Sequence, residues 1–68
     1  MVETRLGQRI LVKNAPVKGT HSTSEGIVIV TRLGDGCFYA RPANKKGDAD
    51  KRFAEDAYHE WDVLNRNP

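Results

Sequence analysis

His21 is followed by Ser22 and Ser24, which places an imidazole beside two hydroxyls. That is the raw material of nucleophilic catalysis, but a nucleophile, a base and an orienting group must be held by rigid elements to act together. These residues fall in a stretch rich in Pro, Gly and hydroxyl side chains, so they read as a solvated loop. Cys37 is the lone cysteine and has no His or Lys beside it to lower its pKa. It reads as a small, half-buried hydrophobe. Glu55, Asp56, Glu60 and Asp62 put four carboxylates within eight residues. They lack the Asx-rich, glycine-centred spacing of a calcium loop and read as an acidic rim. Gly34-Asp35-Gly36 is a turn rather than a phosphate cradle. His21 and His59 lie far apart, and no Cys/His cluster has metal-ligand spacing. The expectation is therefore no catalytic, cofactor-binding or metal residues.

The cations offer a different chemistry. Residues 1–52 hold ten Lys/Arg against five acids, a net of +5, whereas residues 53–68 hold Arg66 against four acids, a net of −3. This polarity suits a basic face turned to an anionic partner. Arg9 and Lys13 project outward from the first expected strand and Arg41 from the third, while Lys45, Lys46, Lys51 and Arg52 bracket a polar loop. Small barrels hold nucleic acid with cations along the backbone path and an aromatic ring for base stacking. Tyr39 shares strand parity with Arg41 and is the candidate platform. These seven cations are the candidate anion and nucleic-acid contacts.

The elements that must position these residues are short and apolar. Gln8 to Lys13 alternates as a first strand, with Ile10 and Val12 on one face and Arg9, Leu11 and Lys13 on the other. Residues 14–24 form a long loop without a regular element. Gly26 to Leu33 is a second strand. It turns through the Asp35-Gly36 pair, a strong hairpin signal, into a third strand from Cys37 to Arg41 that Pro42 ends. Arg52 to Tyr58 fits a short helix or a fourth strand, and strand is chosen because three β elements precede it; His59–Asp62 is a 3₁₀ turn and Val63–Asn65 a closing strand. Trp61, the only tryptophan, is expected partly buried where it closes the barrel bottom or a subunit contact.

The fold class is thus all-β: a small five-stranded barrel with a 3₁₀ turn before the last strand. It spans residues 7–65, between tails at 1–6 and 66–68. Gly7-Gln8-Arg9-Ile10-Leu11-Val12, Glu25-Gly26-Ile27-Val28, Phe38-Tyr39-Ala40-Arg41 and Trp61-Asp62-Val63-Leu64 resemble landmarks of the SH3-like barrel superfamily. That fold hosts many functions. Arg52-Phe53-Ala54-Glu55-Asp56 resembles the segment before the last strand of photosystem I subunit IV. The layout is also similar to the plasmid-borne type II dihydrofolate reductases. In that family a Val-Gln-Ile-Tyr motif lines a pore; here Glu55-Asp56-Ala57-Tyr58 stands in its place and keeps the tyrosine. This likeness implies an alternative function, an oligomeric barrel enzyme whose site forms between subunits.

A 68-residue chain with one cysteine has a small core and no internal disulfide. Ile10, Val12, Val28, Val30, Phe38 and Ala40 fill that core by parity. Leu11, Ile27, Ile29 and Tyr39 are then left facing outward as one apolar patch, the candidate partner interface. A second copy of the chain would cover it. Met1–Arg5 lacks the apolar run of a signal peptide and no run is long enough to span a bilayer. A cytoplasmic, reduced protein with no membrane partner follows. The function expected is a non-enzymatic binding module acting through protein contact, self-association included, and through nucleic-acid contact.

Overall fold

The computed structural model describes residues 4–67. It is all-β: five antiparallel strands form one curled half-barrel sheet in the order β4-β3-β2-β1-β5, with a single 3₁₀ turn before the last strand. The strands are β1 (Arg9–Pro16), β2 (Thr23–Leu33), β3 (Phe38–Pro42), β4 (Asp56–Tyr58) and β5 (Val63–Asn65), and the 3₁₀ turn is Glu60–Asp62.

Alternation fills the core. Ile10, Val12, Val28, Val30, Phe38 and Ala40 are all buried and belong to one cluster, joined by Ala15 and Tyr58 and backed by Val63. Cross-strand pairing explains the grouping. Ile10 lies opposite Val28 and Val30 opposite Ala40, so partners point to the same face of the sheet. Tyr58 pairs with Phe38 across β3 and β4, and their rings stack with centroids 5.7 Å apart.

The β2–β3 hairpin turns at residues 34–37, where the Gly34 N–H donates to the Cys37 carbonyl at 3.0 Å. Gly36 has φ +77°, whereas no non-glycine residue among those described has positive φ. The Asp35-Gly36 turn therefore needs its glycine at one position, and Asp35 keeps an ordinary backbone.

Three features differ from the sequence reading. First, β1 and β2 extend into the expected loop, which shrinks to residues 17–22; Ala15 pairs with Ser24 and Pro16 with Thr23. Pro16 is tolerated because β5 pairs with β1 only at Leu11 and Val12, so the far end of β1 is an edge that needs no donor there. A register shift between Val12 and Ala15 returns Ala15 to the core. Gly26 makes room for it, since a Cβ at Gly26 would stand 3.0 Å from the Ala15 Cβ. Second, β4 begins at Asp56 rather than Arg52. Asp50 captures the chain just before, accepting the Arg52 N–H at 3.0 Å, while the Phe53 N–H donates to the Asp50 carbonyl at 3.2 Å. Those bonds bend the backbone and preclude a strand.

Third, Trp61 is 71% exposed rather than partly buried. The turn directs Asp62 inward instead. Its carboxylate accepts the His59 N–H at 2.9 Å, and its own N–H donates to the His59 carbonyl at 2.9 Å. The ring that fills this end of the core is that of Tyr58. Beyond the barrel, Arg66 donates to the Thr4 hydroxyl at 2.6 Å and ion-pairs with Glu60, so the two ends of the described chain meet.

Candidate functional site

Two loops distant in sequence enclose an open recess of about 360 Å³, lined by Lys18, Asn44, Lys45, Lys46 and Arg52. Lys18 stands on the tip that joins β1 to β2. That tip is closed by bonds from Val17 N–H to the Ser22 carbonyl and from Thr20 N–H to the Val17 carbonyl, both 3.2 Å. The opposite wall is the β3–β4 connection. There the Asn44 side-chain oxygen accepts the N–H groups of Lys46 at 2.9 Å and Asp48 at 3.0 Å. The Asn44 N–H in turn donates to the Asp48 carbonyl at 2.8 Å. A short polar side chain that binds its own downstream backbone folds a loop without an apolar core, and here it presents two adjacent lysines.

Arg52, exposed itself, is held by a buried carboxylate. Asp50 is 7% exposed and accepts Arg52 Nε at 3.1 Å and Nη2 at 2.9 Å. Hydrogen bonds from the Arg52 side chain and backbone hold the Asp50 carboxyl at about 2, against the opposing effect of burial, with the charges of Arg52 and Lys18 adding to the same end. Arg52 is thus spent on Asp50, and the free charge of the recess comes from Lys18, Lys45 and Lys46. Among the described residues no carboxylate lies within salt-bridge distance of these three lysines, whereas Arg32, Arg52 and Arg66 each pair with an acid. Asp48 sits in the same loop outside the lining.

The structure brings Lys45, Lys46 and Arg52 of the sequence-derived cations together. Lys51 is exposed beside them but does not line the recess. Lys18 and Asn44 were not anticipated as site residues. The available signal for Lys18 was its place in a loop flanked by Pro16 and Gly19. Arg9 and Arg41 lie elsewhere, directly opposite Ile29 on either side of β2. Lys13 is exposed at the β1 irregularity.

The outward apolar residues need correction. Ile29 does not belong to the core cluster, as parity requires, yet it is only 8% exposed. The long stems of its cross-strand neighbours Arg9 and Arg41 explain the cover, since such side chains lay methylenes over apolar surface while the charge stays in water. Leu11, Ile27 and Tyr39 are half-buried. The four residues therefore do not form an open apolar patch. Tyr39 is not a free platform either, because the Arg32 guanidinium lies over its ring at 4.1 Å. Among the described residues the large apolar side chains that stand open are Leu6, Leu33, Trp61 and Leu64.

Three of the four acidic-rim carboxylates are used internally, and Asp56 is exposed. Glu55 accepts from the Thr31 hydroxyl and pairs with Arg32, Glu60 pairs with Arg66, and Asp62 caps the 3₁₀ turn. Among the described residues no three His, Cys, Asp or Glu side chains converge as metal ligands, and no helix is long and apolar enough to cross a membrane. Ser22 and Ser24 are exposed beside His21, and Cys37 is half-buried. Tyr58, the tyrosine shared with the pore motif of type II dihydrofolate reductases, is 1% exposed and belongs to the barrel core. No family model, curated protein or solved structure matches this chain.

Proposed function

We propose that this protein is a non-enzymatic binding module for single-stranded nucleic acid, with the lysine-lined recess as the phosphate-contacting site. The observation that carries this reading is the convergence of Lys18, Lys45 and Lys46 on one concavity with no carboxylate paired to them among the described residues. Three like charges around one concavity concentrate positive potential there and favour an anionic occupant. An Asn44-anchored loop and a closed β-hairpin tip position the lysines before any ligand arrives, which lowers the ordering cost of binding.

The test is the anisotropy of a labelled single-stranded oligonucleotide across a salt series. Three phosphate contacts predict a log–log slope of about −2, so affinity falls about twentyfold between 50 and 200 mM salt. A variant carrying Lys18→Glu, Lys45→Glu and Lys46→Glu should lose binding at low salt. Binding that is absent at low salt, or that is unchanged in the triple variant, would remove the proposal.

Protein contact is a second reading, in which a second copy of the chain is the partner. It draws support from Leu64, which is 49% exposed on the edge strand β5. Sedimentation of the free protein decides it: a concentration-independent monomer mass refutes self-association.

A further inference from the structure

The 3₁₀ turn carries a second feature that the recess does not use. Trp61 is 71% exposed, and its indole is stacked on the His59 imidazole with centroids 4.4 Å apart and ring planes within 3° of parallel. One face of the indole is thus taken by His59 and the other is open to solvent. A single exposed apolar side chain is ordinary on a protein surface. An exposed indole locked in a parallel stack is different, because it has already lost the rotamer freedom that a free side chain would lose on meeting a ligand. Asp62, 7% exposed, fixes the backbone of the turn that carries both rings by accepting the His59 backbone N–H.

We infer that the Trp61–His59 stack is a base-stacking platform for the single strand whose phosphates occupy the lysine recess. This inference rests on the nucleic-acid reading given above. The open face of a flat two-ring stack suits another planar ring. A cationic group is the competing occupant, since a cation over an indole face is also attracted, and the arginine-rich peptide below tests it. The protein provides lysines for a phosphate backbone in the recess and an open aromatic face at the 3₁₀ turn, the two components of sequence-tolerant single-strand binding. The molecule is 35 Å in its longest dimension, which bounds the distance a strand of about ten nucleotides would have to span between the two.

Trp61 is the only tryptophan, so intrinsic emission reports this site alone. The probes are an oligothymidylate of about ten nucleotides and inorganic polyphosphate, which supplies charge without bases. Oligothymidylate is expected to quench Trp61 emission strongly at saturation, whereas polyphosphate binds with the emission little changed. Trp61→Ala should weaken oligothymidylate binding about tenfold, the usual loss for one stacked base, and leave polyphosphate binding unchanged. Trp61→Phe, which keeps a ring, should recover part of that loss. Oligothymidylate that binds without moving the emission, or a Trp61→Ala variant that weakens both ligands equally, overturns the platform and leaves the recess reading intact. Quenching that persists with unchanged affinity in the triple lysine variant overturns the recess and keeps the platform. If neither ligand binds, both fall. An arginine-rich peptide that quenches where oligothymidylate does not would refute the base as occupant.

Discussion

Replacing Tyr58 with Phe should stabilise the protein, although Tyr58 is among its most buried residues. The ring is 1% exposed and packs on Phe38, and Phe would keep that contact. The hydroxyl oxygen is buried and has no hydrogen-bond partner among the described residues. A buried polar group left unpaired costs about 1–3 kcal/mol, and its removal recovers part of that cost. A gain of about 1 kcal/mol is expected, which for a domain of this size raises Tm by about 4–8 °C. The same burial, followed by the nearby charges of Asp56 and Asp62, pushes the Tyr58 phenol from 10.0 up to about 12. The folded state therefore favours the neutral phenol. The associated stability is fully present below pH 10 and is lost as the pH rises through about 12. Thermal unfolding followed by far-UV circular dichroism at pH 7 and pH 11 tests both parts. Tyr58→Phe should melt higher at pH 7, and its advantage should widen at pH 11. A variant that melts lower by the equivalent of 1 kcal/mol or more (about 4–8 °C) would show that the hydroxyl makes a stabilising bond, and an unchanged gap at pH 11 would show that the phenol is not held neutral by the fold.

Two further perturbations probe the scaffold. Asp50 is held at about 2 by Arg52, below its ordinary 3.8, so its contribution to stability is present above pH 4 and is lost as the pH falls through 2. In Asp50→Asn the acid limb of a pH–stability curve should flatten between about pH 4 and 2; an unchanged limb would dissociate Asp50 from acid unfolding. Ile29→Lys would set a third cation on β2 between Arg9 and Arg41 at an 8% exposed position. Urea unfolding should show a loss of about 3 kcal/mol, whereas a loss under about 0.5 kcal/mol would mean that Ile29 is open to a partner after all.

Much of the fold is local physics and was legible in the residues. Strand side chains alternate with period two, so Ile10 and Val12, Val28 and Val30, and Phe38 and Ala40 announced a shared face before any pairing was known. The Asp35-Gly36 turn and the 3₁₀ turn at Glu60–Asp62 likewise depend on neighbouring residues alone. The ends of the elements were less legible. Pro16 and Ser24 carry loop propensity, but they are held in strands because β1 and β2 pair across them. Arg52 carries no turn signal, but the buried Asp50 carboxylate makes it one.

The candidate sites divide in the same way. That the first 52 residues are basic and the rest acidic is composition, and so is the presence of a lysine pair in a polar loop. That Lys18 faces Lys45 and Lys46 was decided only when the sheet curled and brought the β1–β2 tip against the β3–β4 connection. Parity correctly set Ile29 outward, yet parity states a direction and not an exposure. Two arginines in register on the neighbouring strands cover it. Trp61 shows the converse. Size and apolarity argued for burial, but a three-residue turn can point only some of its side chains inward, and the carboxylate of Asp62, which satisfies an otherwise unpaired backbone N–H, took the inward place.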